Sequence, residues 1–309
     1  MALQSAPTPP VRLRAARRRT GEDVIRVVLA LCALVSVLTT VAIVVALTVP
    51  AVEFFGDVSP VDFFFGTEWA PLFADAKFGV LPLIVGTVSV TFWACLVALP
   101  SGLGAAIYLS EYAHPRARKY LKPALEILAG IPTIVFGYFA LTFVTPLLRD
   151  DLGLDFDALN ALSAGFVMGI MLIPTVASLS EDAMGAVPQE LRQGSYALGS
   201  NRMQTAIKVV VPAAVSGIAA SFILAISRAV GETIIVLIAA GQQPTLSFDP
   251  RVAVETMTAF VAATGTGDVP TGSIEYKTIF AVGISLFVLT LVLNMLSIRL
   301  VRKYREVYE

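Results

Sequence analysis

Ile25-Arg-Val-Val-Leu-Ala-Leu-Cys-Ala-Leu-Val-Ser-Val-Leu-Thr-Thr-Val-Ala-Ile-Val-Val-Ala-Leu-Thr-Val49 carries one charge, Arg26, and that charge stands at its edge. A helix needs about 20 mostly apolar residues to cross the hydrocarbon core of a bilayer, so this run is long enough to span. Arg12, Arg14, Arg17, Arg18 and Arg19 precede it, as in the n-region of a signal peptide. An h-region, however, has only about 7–15 residues and ends at a small-residue cleavage site. This run is longer and no clean site follows, so it reads as an uncleaved first span.

Five further runs have the same character: Leu81 to Leu109, Pro123 to Leu148, Leu159 to Leu179, Pro212 to Ala240 and Ile279 to Leu300. Across all 309 residues, 56% are hydrophobic and 15% charged. Soluble domains are roughly 45–50% apolar and about 25% charged, so the excess of apolar surface requires lipid. The net charge of −1 gives no basic field for nucleic acid. Cys32 and Cys95 fall inside apolar runs and read as packing residues, and His114 stands alone in a polar loop, so no disulfide framework or metal site is expected.

Lysine and arginine set the orientation, because cytoplasmic loops carry their excess. Arg12, Arg14, Arg17, Arg18, Arg19 and Arg26 precede span one, and Arg116, Arg118, Lys119 and Lys122 lie between spans two and three. Arg192, Arg202 and Lys208 lie between spans four and five, and Arg299, Arg302, Lys303 and Arg305 follow span six. These are 17 of the 22 basic residues; the opposite side has only Lys77, Arg149, Arg251 and Lys277, and Arg228 lies inside a span. The sequence therefore predicts an all-α integral membrane protein with six transmembrane helices and both termini in the cytoplasm. The expected organisation is a basic segment 1–24, a first span 25–49, an outer aromatic and acidic segment 50–79, a core 80–300 and a tail 301–309. The outer segment holds Phe54, Phe55, Phe63, Phe64, Phe65 and Trp69 among acidic residues, which suits a membrane–water interface or, failing that, a docking surface for an outer partner. Residues 241–277 read as a loop with a short helix near Val252–Ala263.

The cytoplasmic stretch 182–212 is longer than a connector requires. It contains Val187-Pro-Gln-Glu-Leu-Arg-Gln-Gly-Ser-Tyr-Ala-Leu-Gly199, followed by Ser200-Asn-Arg-Met-Gln-Thr-Ala-Ile-Lys-Val-Val-Val-Pro212. Pro188 and Glu190 suit the start of a helix, Gly199 suits its stop, and Ser200 or Asn201 suits the cap of a second helix. A helix-turn-helix DNA reader has similar spacing but far more positive charge. A passive amphipathic loop and a docking element for a cytoplasmic partner remain.

The same stretch resembles the cytoplasmic coupling loop of ABC importer permeases, whose pattern is Glu-Ala-Ala, three residues, Gly, nine residues, Ile-x-Leu-Pro. Here Gln193-Gly194-Ser195 stands for the triplet, with Gly199 and Val209-x-Val211-Pro212 in register. Phe78-Gly-Val-Leu-Pro-Leu-Ile-Val-Gly-Thr, Tyr108-Leu-Ser-Glu-Tyr112, Glu126-Ile-Leu-Ala-Gly-Ile-Pro132, Pro174-Thr-Val-Ala-Ser-Leu-Ser-Glu-Asp182, Arg228-Ala-Val-Gly-Glu-Thr233 and Thr233-Ile-Ile-Val-Leu-Ile-Ala-Ala-Gly241 together resemble the permease of the phosphate-specific (Pst) importer, in its PstC-type form. The resemblance covers roughly residues 78–300. It implies a type I ABC importer permease fold, a homologous PstA-type second permease, a cytoplasmic ATPase dimer and an extracytoplasmic phosphate-binding protein. It implies that Glu190, Arg192, Gln193, Gly194, Ser195, Tyr196, Ala197 and Gly199 couple to the ATPase, and that Arg228 and Glu232 belong to a phosphate path. The chain has no Gly-x4-Gly-Lys-Ser/Thr loop, so ATP and Mg are expected in partner subunits and this chain is expected to be non-catalytic.

Arg228 lies about 24 Å beyond Pro212 at roughly 1.5 Å per helical residue, near mid-membrane. Glu232 stands at i+4 and, on a continuous helix, would share its face. A lone arginine at that depth costs about 2.5–3.5 kcal/mol on insertion scales, so it must be paired, hydrated or used. A guanidinium grips phosphate oxygens bidentately, with Glu232 expected as a competing partner; a purely structural ion pair is the plainer alternative. Gly165-x3-Gly169 and Ser216-x3-Ala220 permit close helix packing. An importer for molybdate or sulfate, or an ion-coupled secondary transporter, are the competing functions. The secondary transporter lacks support from any repeated half.

The topology has a direct test. In a background with Cys32 and Cys95 replaced by Ala, single Lys77→Cys, Arg149→Cys and Arg251→Cys variants react with an impermeant maleimide added outside intact cells. Arg118→Cys and Arg202→Cys do not; labelling of either from outside overturns the orientation.

Overall fold

The computed structural model describes residues 20–303. The basic residues Arg12, Arg14, Arg17, Arg18 and Arg19, and Arg305 in the tail, lie outside the described residues. In chain order the helices are α1 (Thr20–Asp57), α2 (Pro60–Phe65), α3 (Leu81–Ile107), α4 (Pro115–Ala129), α5 (Thr133–Phe139), α6 (Ala161–Gly185), α7 (Gln189–Ala197), α8 (Arg202–Thr205), α9 (Val211–Ala213), α10 (Val215–Val230), α11 (Ile234–Ala239), α12 (Met257–Thr266) and α13 (Ile274–Lys303). Wider π-helical turns extend α3, α5 and α8. The strand content among the described residues is one antiparallel pair, Trp69–Ala70 with Lys77–Phe78.

Four helices are each long and apolar enough to cross a membrane: Glu22–Asp57, Leu81–Tyr112, Ala161–Gly185 and Ile274–Arg299. Two pairs reach that length only across a bend: Pro115–Ala129 with Thr133–Asp151 at 87°, and Arg202–Ala213 with Val215–Val230 at 73°. With each pair counted as one span, the chain has the six expected. The third run is therefore not one straight helix from Pro123. Gly130 closes α4, and Pro132, which has no N–H to donate, stands as the N-cap of α5. α4 itself buries no residue and carries Arg116, Arg118, Lys119 and Lys122. His114 caps its start, its Nδ1 accepting from Arg116 N at 3.3 Å.

The chain divides into two units, Met1–Ala46 and Leu47–Glu309. In the first, Leu29, Leu34, Val35, Leu38 and Val41 expose their side chains, as a helix suited to lipid does. In the second, α3 packs closely on α6. A Cβ at Gly169 would stand 2.7 Å from the Ala94 carbonyl oxygen, and one at Gly165 2.7 Å from Trp93 Cβ, so the Gly165-x3-Gly169 stripe lets two backbones meet. On α10 the stripe that meets α6 is one residue beyond the expected Ser216-x3-Ala220. Gly217 faces Ala183, Ser221 Oγ is 2.8 Å from Ser180 Oγ, and Ala220 is exposed.

The outer aromatic residues form a core of their own. Phe54, Phe63 and Trp69 are buried with Leu83, Met257 and Phe260, and Trp69 meets Phe260 edge-to-face at 4.8 Å. Of the named aromatics, Phe64 and Phe65 remain exposed, as an interfacial belt requires. Lys277 Nζ pairs with Glu53 at 3.1 Å across this layer. Residues 252–256, expected as helix, run without regular structure and are buried from Ala253 onward. Thr256 then caps α12, its Oγ1 accepting from Ala259 N at 3.1 Å.

Glu255 lines a cavity of about 430 Å³ on the outer side, with Trp69, Phe260 and Asp268. Burial pushes its carboxyl up from 4.5 to about 7. The folded protein thus holds this proton over a range where the opened chain has lost it, so stability falls as pH rises from about 4.5 to about 7 and stays low above that. Glu255→Gln removes the ionisation. In detergent, the variant should match wild type in melting temperature at about pH 4.5 and exceed it by a few degrees at about pH 8. Equal melting at both pH values overturns the assignment.

Candidate transport site and cytoplasmic docking helix

The fifth span carries the first group of candidate residues. α10 ends at Val230, Gly231 follows at φ −90° and ψ 0°, and the chain re-enters helix at Ile234. Arg228 and Glu232 are therefore not on one helical face, and no ion pair joins them among the described residues. The reason lies in the break. A new helix start leaves N–H groups without partners, and Glu232 supplies the acceptor: its Oε1 takes Ile234 N at 3.1 Å and Ile235 N at 3.3 Å. The Glu232 carbonyl in turn accepts from Thr258 Oγ1 at 2.6 Å, tying the break to α12. Glu232 is buried. Arg228 is exposed, and its Nη1 donates to Thr175 Oγ1 of α6 at 3.1 Å. It makes no ion pair among the described residues. The expected competing carboxylate is instead a structural cap, and the guanidinium stands on the surface of the chain with the Thr175 hydroxyl as its partner.

The cytoplasmic stretch forms the two short helices joined at a glycine. Gly199 has φ +86°, a backbone conformation that favours glycine. Asn201 closes a capping box, Oδ1 accepting from Gln204 N at 2.9 Å and its own N–H donating to Gln204 Oε1 at 3.0 Å. Pro188 is the N-cap of α7 rather than a residue of its first turn.

The eight candidate docking residues separate into two sets. Glu190, Gln193, Gly194, Tyr196, Ala197 and Gly199 are exposed, whereas Arg192 and Ser195 are buried. These two hold α7 on the body. Arg192, 7% exposed, donates to Glu111 through Nη2 at 2.9 Å and Nε at 3.2 Å, to the Val187 carbonyl at 2.6 Å and to the Met184 carbonyl at 2.8 Å. Ser195 Oγ lies 2.9 Å from Thr205 Oγ1 of α8. The tip is Leu198, 90% exposed, which sequence reasoning passed over although an apolar residue beside the helix-ending glycine was the signal.

A second ionic centre lies at the cytoplasmic end of α6. Glu181 is 1% exposed; Arg118 pairs with it from α4, and Lys122 Nζ stands 3.3 Å from its Oε2 and 3.5 Å from Asp182 Oδ1. Neither Glu111 nor Glu181 was singled out from the sequence. Both lie in motifs already quoted, but a carboxylate's burial is set by distant neighbours and leaves no local pattern.

Residues 98–306 match the family described as binding-protein-dependent transport system inner membrane component. The chain is 35% identical over 300 residues to the probable ABC transporter permease protein YqgH of Bacillus subtilis, covering 96% of each. It is 32% identical over 266 residues to the phosphate transport system permease protein PstC of Xylella fastidiosa, covering 79% of this chain and 80% of that one. Among solved structures, a chain from the bacterial alginate ABC transporter in complex with an alginate pentasaccharide-bound periplasmic protein matches with a TM-score of 0.63 at 16% identity, covering 93% of this chain and 98% of that one. At that identity the likeness is one of fold.

The buried Glu111–Arg192 pair predicts a specific pattern of damage. Breaking one partner of a buried pair costs about 3–5 kcal/mol, whereas replacing both with neutral groups is often tolerated. Arg192→Met should leave Glu111 charged and unpaired, and protease added to inside-out vesicles should then cut residues 186–212 faster. Glu111→Gln with Arg192→Met should recover part of the protection. A silent Arg192→Met would show that the pair does not hold α7.

Proposed function

Given that this chain belongs to the family of binding-protein-dependent transport system inner membrane components, we propose that it is the permease subunit of an ATP-driven phosphate importer. It is a multi-pass protein of the cytoplasmic membrane whose relatives are transport permeases. The observation that carries the substrate is Arg228: an exposed guanidinium in the fifth span, with a neutral hydroxyl as its hydrogen-bond partner. A planar, permanently charged fork suits a tetrahedral oxyanion, and the relatives named for phosphate transport favour phosphate among such anions.

In this reading the chain forms half of the path and a homologous PstA-type subunit forms the other half. An extracytoplasmic phosphate-binding protein delivers the anion. A cytoplasmic ATPase dimer receives α7, with Leu198, Tyr196 and Gly199 at the contact, and ATP with Mg is bound and hydrolysed there. This chain contributes no catalysis of its own. Arg228 touches the passing anion. Glu232 governs passage by fixing the backbone break that presents Arg228, since its carboxylate is committed to the α11 amides.

Phosphate uptake and membrane abundance, measured together, test the assignment. Arg228→Gln should abolish uptake and leave abundance unchanged. Arg228→Lys keeps charge but loses the fork, so it should transport poorly. Glu232→Gln retains an oxygen that accepts amide hydrogens and should keep much of its activity; Glu232→Leu should lose it. If the Arg228→Gln, Glu232→Gln double variant imports phosphate at the wild-type rate, direct contact is wrong.

A further inference from the structure

Thr175 belongs to two places at once. Its hydroxyl accepts from Arg228, and it lines a cavity of about 290 Å³ between α4 and α6 whose polar walls are Lys122, Glu126, Thr175, Ser178 and Glu181. Thr175, Ser178 and Asp182 follow i, i+3 and i+7 on α6, so they share a face. They descend about 10 Å towards the cytoplasmic end, at roughly 1.5 Å per residue. The cavity therefore shares Thr175 with Arg228 and extends along α6 as far as Glu181.

The charges on its wall are unequal in commitment. Glu181 is already paired by Arg118. Lys122 reaches the same carboxylate at 3.3 Å and Asp182 at 3.5 Å, longer than the roughly 2.7–2.9 Å of a strong charge-assisted bond. Its side chain is 35% exposed. Lys122 is thus an ammonium shared between two carboxylates at distances longer than a strong charge-assisted bond, while Arg118 holds the other oxygen of Glu181. Thr175 and Ser178 add hydroxyls that donate or accept. Glu126 is no obstacle to a protonated oxyanion, because a carboxylate accepts from P–OH.

We propose that this cavity is a second anion site on the inward half of the path. Lys122, Thr175 and Ser178 there take protonated phosphate as it leaves Arg228 and pass it to the cytoplasm. The proposal rests on the phosphate reading above. Lys122 exchanges carboxylate oxygens for phosphate oxygens, and Glu181 keeps Arg118 as its counter-ion throughout. Release is fast because the carboxylates compete for the same ammonium.

The full complex, with its partner subunits, is reconstituted into vesicles. Radioactive phosphate imported per ATP hydrolysed is measured, together with protein incorporated. Lys122→Gln should lower import per ATP roughly tenfold, the scale of one lost hydrogen bond to a charged group, with incorporation unchanged. Lys119→Gln removes an exposed cation of α4 that does not line this cavity, and should lower it by less than about twofold. Lys122→Gln with Glu181→Gln should stay low, because the ammonium is still missing. Thr175→Val should lower import and Thr175→Ser restore it. Recovery to the wild-type ratio by the Lys122, Glu181 double variant, or an equal loss in Lys119→Gln, would mean that the loss does not belong to this cavity and would overturn the site. An unmodified complex that imports no phosphate overturns the substrate reading and this site with it. Normal import with a silent Lys122→Gln overturns the site alone.

Discussion

A backbone broken inside the membrane must recover every hydrogen bond that the break removes, because lipid offers none. This chain breaks its fifth span at Gly231, and the outer segment between spans five and six brings residues 252–256 into buried surroundings without regular structure. Glu232 receives two amides of α11, and Thr258 donates to the Glu232 carbonyl. Asp157 Oδ2 accepts from Ala253 N at 3.0 Å, and Thr87 Oγ1 accepts from Met257 N at 3.0 Å. Val254 N donates to the Ala240 carbonyl at 3.0 Å. Four elements far apart in sequence therefore converge on one irregular region. The exposed Arg228 stands at the edge of that region, its helix ending two residues on.

On the cytoplasmic side the same economy is achieved with charge. Glu111 and Glu181 are both buried, and each is met by cations from a short helix, Arg192 of α7 or Arg118 and Lys122 of α4. Isolated carboxylates there would be costly. Paired, they pin amphipathic helices whose own apolar contacts are few. Arg192 also satisfies the Met184 and Val187 carbonyls at the end of α6, so the turn leading into α7 and α7 itself share one guanidinium. The outward face of α7 is left with Tyr196 and Leu198 exposed, the arrangement expected of a helix that docks rather than one that floats.

The spans were legible because hydrophobic length is a property of the chain alone. The Glu232 role was not, because i+4 spacing implies a shared face only on an unbroken helix. The run Pro212 to Ala240 read as one span, and Thr258, which ties the break to α12, lies 26 residues from Glu232. The resemblance implied Arg192 and Ser195 among the coupling residues; helical geometry turns both towards the body at i+3, where Arg192 meets Glu111. The aromatic residues of the outer segment were read as interfacial for want of Phe260 and Met257, which complete their core from the far end of the chain.

These separate observations meet on α6. Its glycines admit α3 at backbone distance, Ser180 holds Ser221 of α10, and Thr175 holds Arg228. Glu181 gathers α4, and the carbonyls at its end are capped by Arg192 of α7. Protein interiors packed at this density transmit displacement rather than absorb it. A shift of α7 relative to the body must break the Glu111–Arg192 pair or move the end of α6 with it. A shift of α6 carries Thr175, which holds the Arg228 guanidinium. α7 and Arg228 are thus both positioned by one continuous element, although about thirty residues and a bent pair of helices separate them in sequence.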